Sequence, residues 1–100
     1  MIRHIAMFRF ADDATPEQRQ AAADGLRSLP DLVPSIRGFE VAVSLGIEPN
    51  GADLCVAALF DDEDGWRAYI DHPDHRRVAD TLIAPYRIER STIQHAYPVE

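Results

Sequence analysis

Apolar and polar positions change their period several times along this chain, and each change marks an element. From Ile2 to Phe10 the period is two, yet both faces are largely apolar, with Ile2, Ala6, Phe8 and Phe10 on one and Ile5 and Met7 on the other. That pattern predicts a strand covered on both sides. Thr15-Pro16-Glu17-Gln18 then predicts a helix start. Thr15 suits the N-cap, Pro16 the first turn and Gln18 the capping-box position. The stripe Ala22, Leu26, Leu29 follows helical spacing, and Pro30 is expected to stop it. Gly25 within this helix costs about 1 kcal/mol relative to alanine. It is read as tolerated, with a close helix–sheet contact or a widened pocket as the alternatives.

Period two returns at Phe39, Val41, Val43 and Leu45, alternating with Glu40, Ala42 and Ser44, which predicts a one-sided strand. Glu48-Pro49-Asn50-Gly51 is a turn signal. Leu54 to Phe60 is again apolar on both faces, with Leu54, Val56, Ala58 and Phe60 opposite Cys55, Ala57 and Leu59. Asp61, Asp62, Glu63 and Asp64 suit the positive end of a second helix. There Trp66, Tyr69 and Ile70 turn inward until Pro73 interrupts. A further helical segment with Val78, Ala79, Leu82 and Ile83 apolar runs to Pro85. A last strand is expected from Ile88 to Tyr97, with Ile93 and Tyr97 on one face.

The order strand, helix, strand, strand, helix, strand is the ferredoxin-like βαββαβ arrangement, an α+β fold with a four-stranded antiparallel sheet. Right-handed crossovers place both helices on one face. The first and third strands are then central, which agrees with their two apolar faces. Ile5, Met7, Cys55, Ala57 and Leu59 would leave the other face apolar and wet, at about 25 cal/mol per Å². A second sheet packed face to face removes that cost. A homodimer is therefore expected.

The chain has 100 residues, the size of one domain spanning 1–100. Its net charge of -7 excludes a polyanion-binding surface, so neither nucleic acid nor an anionic membrane is an expected partner. The single cysteine, Cys55, precludes an internal disulfide and suits a reducing compartment. Arg3 and Arg9 interrupt the first apolar run, so it does not read as a signal peptide, and a cytoplasmic location is expected.

Ile2-Arg3-His4-Ile5 running to Phe8-Arg9-Phe10, and Tyr69-Ile70-Asp71-His72-Pro73-Asp74-His75, together resemble the stress-responsive dimeric α/β-barrel (Dabb) family. The second segment is similar to its Tyr-x-x-His-Pro-x-His signature. Ile36-Arg37-Gly38-Phe39-Glu40-Val41 is similar to the family's entry to the second strand, and Phe60-Asp61-Asp62 to the exit of the third. The family includes a plant polyketide (olivetolic acid) cyclase. By resemblance to it, Tyr69 and His75 would carry the chemistry and His4 would line the same pocket. Two features differ: Ala22, Ala23 and Leu26 stand where the cyclase's first helix has pocket aromatics, and Asp74 replaces a small apolar residue within the signature.

The residues themselves permit such a pocket. His75 precedes Val78, Ala79 and Leu82 by three, four and seven positions and shares their inward stripe. Pro73 breaks the helix between Tyr69 and His75, so the two side chains can converge. His4 alternates in phase with Ala6 and Phe8 on the helix-covered face. Phe8, Trp66, Leu82 and Tyr86 would wall the pocket. His75 is the candidate general base for a proton next to a carbonyl, Tyr69 the donor to the resulting enolate, and His4 an orienting group for substrate or His75. Cyclase, isomerase or lyase chemistry on a small apolar carbonyl compound fits, with no cofactor and no metal site expected. The alternatives are a non-catalytic, stress-linked structural or binding protein and a cofactor-independent monooxygenase on the same scaffold.

Overall fold

A computed structural model describes residues 1–100. The strands are β1 (Ile2–Phe10), β2 (Gly38–Val43), β3 (Leu54–Phe60) and β4 (Arg87–Ala96); the helices are α1 (Pro16–Arg27), α2 (Glu63–Ile70) and α3 (Pro73–Val78). The sheet order is β2-β3-β1-β4 with antiparallel neighbours, so the two strands apolar on both faces occupy the centre. This is the ferredoxin-like fold that the order of elements predicts.

Local chemistry sets the helix ends. The Gln18 amide donates to Thr15 Oγ1 at 3.1 Å while the Thr15 amide donates to Gln18 Oε1 at 2.9 Å, closing the capping box. Asp62 caps α2 by accepting from the Gly65 amide at 2.9 Å. His72 caps α3, its Nδ1 accepting from the Asp74 amide at 3.1 Å. Pro73 therefore occupies the first turn of a new helix, where its missing N–H leaves no gap. The chain then loosens into a π-helical turn over Ala79–Ile83, closed by the Ala84 amide on the Ala79 carbonyl at 2.8 Å.

Three details depart from the sequence pattern. α1 ends at Arg27, capped by Ser28, and Pro30 sits inside a following 3₁₀ turn (Leu29–Asp31) instead of abutting the helix. β2 stops at Val43, so Leu45 lies beyond the strand and is 88% exposed. Gly25 faces the last helical segment, not the sheet: a Cβ there would stand 2.5 Å from Leu82 Cδ1 and 3.3 Å from Val78 Cγ1. The missing side chain lets the two helical layers approach.

Ala6, Phe8 and Phe10 of β1 join Leu54, Val56, Ala58 and Phe60 of β3 beneath Ala22, Ala23, Leu26, Tyr69, Val78 and Ile83 in one buried core. The opposite face is bare. By register it carries Ile5 opposite Ala57 and Ile93, and Met7 opposite Cys55 and Ser91. Met7 remains 43% and Ile93 56% exposed. β4 pairs with β1 in a register that shifts between Arg9 and Phe10: Arg9 faces Glu89 but Phe10 faces Arg87, so Ile88 is an extra residue in β4. No helix is long and apolar enough to cross a membrane.

Candidate functional site

Between the sheet and the last helical segment lies a cavity of about 130 Å³. Ala6, Phe8, Leu26, Val56, Ala79 and Ile83 line it with apolar surface; His4, Tyr69, His75, Arg87 and Arg90 bring the polar groups. β1 delivers His4, α2 delivers Tyr69 and α3 delivers His75, with the break at Pro73 letting the last two meet. Their rings lie 4.4 Å apart between centroids, tilted by 58°. His4 stands on the other side of Tyr69 at 6.2 Å. Phe60 at 5.2 Å and Phe39 at 6.2 Å complete an aromatic packing that fixes the Tyr69 ring.

His4 is only 3% exposed and is the one polar residue fully buried in the chain. The Trp66 indole N–H donates to its Nδ1 at 3.3 Å, and the Gln94 amide nitrogen lies 2.7 Å from the same atom. An indole nitrogen can only donate, so Nδ1 is the acceptor and the proton resides on Nε2. Burial, reinforced by the charges of Arg90 and His75, depresses its proton affinity from the ordinary 6.5 to about 4. His4 is thus a neutral Nε2–H donor at neutral pH. It is tied to Trp66 and Gln94, and it makes no hydrogen bond to His75.

His75 is held less firmly. Its Nδ1 is buried without a hydrogen-bond partner, which leaves Nε2 as the nitrogen able to meet a ligand. Burial lowers its pKa below the ordinary 6.5; the Ile70 backbone opposes this, while Arg90 and Arg76 reinforce it. The ring is neutral at neutral pH, with a free lone pair. The Tyr69 phenol is pushed far up by burial, only partly offset by Arg90, and remains a proton donor. Neutral imidazole and neutral phenol side by side form a base next to a hydrogen-bond donor.

The other expected wall residues stand back. Trp66 lies behind His4, with ring centroids 6.1 Å apart, and does not line the cavity. Leu82 packs at Gly25, and Tyr86 lies against the core while its backbone carbonyl accepts from the Ala11 amide at 2.8 Å. Of the apolar wall named from sequence, Phe8 alone lines the cavity. Cys55, on the bare face, has its thiol pushed up by burial and by Glu40, so it stays protonated.

The sequence profile of the Stress responsive A/B Barrel Domain family (Dabb) matches residues 2–94. The chain belongs to that family. An uncharacterised protein of Streptomyces coelicolor is 27% identical to this Dabb chain over 95 residues, covering 86% of it and 98% of the relative. Among solved structures, a dimeric ferredoxin-like protein of unknown function from Thermobifida fusca is similar at 41% identity and a TM-score of 0.86, over 95% of this chain and 89% of that one. A hydroxynitrile lyase from Passiflora edulis shares the fold at 14% identity and a TM-score of 0.81, over 94% of this chain and 90% of the lyase.

Two residues that line the cavity escape the periodicity altogether. Arg87 and Arg90 are three apart on one strand, a spacing that puts side chains on opposite faces. The extra residue Ile88 restores them to one face, because Phe10 and Phe8, their partners on β1, both point to the helices. No sequence signal for that bulge exists apart from the arginines themselves.

Proposed function

We propose that this Dabb protein is a homodimer whose cavity binds a small carbonyl compound and exchanges a proton next to the carbonyl without a cofactor. His75 Nε2 takes the proton from carbon, and the carbonyl oxygen, becoming an enolate, accepts a hydrogen bond from the Tyr69 hydroxyl. The protonated His75 then returns the proton to carbon or to a leaving group, which gives isomerase, cyclase or lyase outcomes according to the substrate. His4 Nε2–H is available as a second donor to the ligand, with its ring held by Trp66 and Gln94.

The observation that carries this reading is that Tyr69 and His75 pack ring against ring at 4.4 Å on the wall of a largely apolar cavity that no carboxylate lines. The cavity, about 130 Å³, is smaller than the few hundred that ligand sites commonly offer. A dry cavity of about 150 Å³ accepts a benzene-sized molecule, which sets the size of ligand expected. The hydroxynitrile lyase of the same fold supports a scaffold able to host lyase chemistry, and the dimeric Thermobifida protein supports the assembly.

Deuterium incorporation at the central carbon of acetylacetone, followed by proton NMR in heavy water, tests the chemistry. The protein should accelerate exchange. His75→Ala should remove about 10²–10⁴ of that acceleration, and Tyr69→Phe about 10²–10³. The rate should be flat through neutral pH and fall on the acid side below 6.5, because burial lowers the His75 pKa and only the free base acts. Full exchange by a folded His75→Ala variant would remove His75 from the mechanism.

A further inference from the structure

Ten arginines serve this chain, and eight have partners. Six pair with carboxylates in sight of solvent: Arg9 with Glu89, Arg27 with Asp24, Arg37 with Asp61, Arg67 with Glu63, Arg76 with Asp71 and Arg77 with Asp74. Arg19 holds Asp53 and two backbone carbonyls, and Arg3 bonds to His95 beneath Tyr97. Arg87 and Arg90 alone make no ion pair, hydrogen bond or ring contact, and both line the cavity that holds Tyr69 and His75. Acids are not scarce, since 17 of them give the chain its charge of -7. None lines this cavity.

The pairing is also built by a specific backbone device. Without the extra residue Ile88, Arg87 would lie on the bare face and only Arg90 would look toward the helices. The positive field reaches the chemistry, because Arg90 disfavours added positive charge on both His4 and His75 and eases ionisation of Tyr69. The inner wall is aliphatic and aromatic, with Ala6, Phe8, Leu26, Val56 and Ile83. The site is therefore amphipathic, apolar within and doubly cationic on its β4 side. Guanidinium groups fit a carboxylate through paired N–H donors.

We propose that the cavity selects small carboxylates of apolar body, such as oxo acids, with the carboxylate on Arg87 and Arg90 and the apolar part among Phe8, Val56 and Ile83. This names the substrate class of the site proposed above and rests on that reading. An oxo acid so held would turn its neutral, enolisable end inward. The positive field would stabilise the enolate as it forms.

Benzoate and benzamide separate charge from shape, because they share size and ring but differ in charge. Titration by calorimetry at low salt should show benzoate bound at least tenfold more tightly than benzamide. Raising the salt to molar levels should erode that preference. Arg87→Gln/Arg90→Gln should abolish the preference while leaving the dimer unchanged. Arg87→Lys/Arg90→Lys should restore it in part, since charge returns without the paired donors. Equal affinity for the two ligands, binding of neither, or a preference that survives the double glutamine variant would overturn the inference. So would dissociation of the dimer in that variant with the preference intact, which would assign the arginines to the interface. Acetylacetone exchange needs no carboxylate. Its persistence alongside any of these results would keep the proton-transfer reading while the carboxylate inference falls.

Discussion

A neutral imidazole at position 4 couples folding to pH. In the unfolded chain His4 titrates at the ordinary 6.5, and in the fold at about 4, because burial and the Arg90 charge oppose its protonated form. Stability from this residue is complete above 6.5 and is lost as pH falls toward 4, since there the unfolded chain binds the extra proton. His75, lowered by the same physical causes, adds in the same direction. Urea unfolding at pH 4.5 and 7 should show a clear loss of stability at the lower pH, and His4→Gln should shrink that difference. An unchanged difference in the variant would contradict the buried, neutral state of His4. At this scale His4, Tyr69 and His75 were legible, because strand alternation, helical spacing and the proline break converge on one point. Arg87 and Arg90 were not, because a one-residue bulge inverts the face that alternation assigns. Trp66 was legible as inward but not as the donor that fixes the His4 tautomer.

Among the elements, Thr15 accepts the Gln18 amide that the capping-box spacing predicts, and Asp62 and His72 cap the next two helices in the same way. The π-helical turn over Ala79–Ile83 was not legible, since its apolar residues fit an ordinary helix equally well. It places both Ala79 and Ile83 on the cavity wall. Gly25 shows how one small residue sets the spacing between α1 and this turn. Gly25→Ala gains up to about 1 kcal/mol of helix propensity. The new methyl meets Leu82 Cδ1 at 2.5 Å, however, and overpacking of that kind costs about 1–3 kcal/mol. A net loss of about 1 kcal/mol is expected in urea unfolding, and a gain should appear instead when Leu82→Ala removes the clash. Stabilisation by Gly25→Ala alone would show that the helices separate freely there.

For the whole molecule the deciding feature is a sheet apolar on both faces with helices on one. The bare face gathers Ile5, Met7, Cys55, Ala57, Leu59 and Ile93, framed by Arg3, Arg9, Glu40 and Glu89 at its strand positions. An apolar centre with a charged rim is the composition of a protein interface. Leu45 and Ile47, 88% and 83% exposed, extend the apolar surface at the β2–β3 connection. Met7 contributes nothing to the protomer's own core, so Met7→Glu alters the interface while leaving the fold. Light scattering coupled to gel filtration at micromolar concentration should give a particle of twice the 11.2 kDa chain mass for the native protein. Met7→Glu should give a folded particle of single chain mass. A native protein that persists as a folded single chain under those conditions would contradict the account.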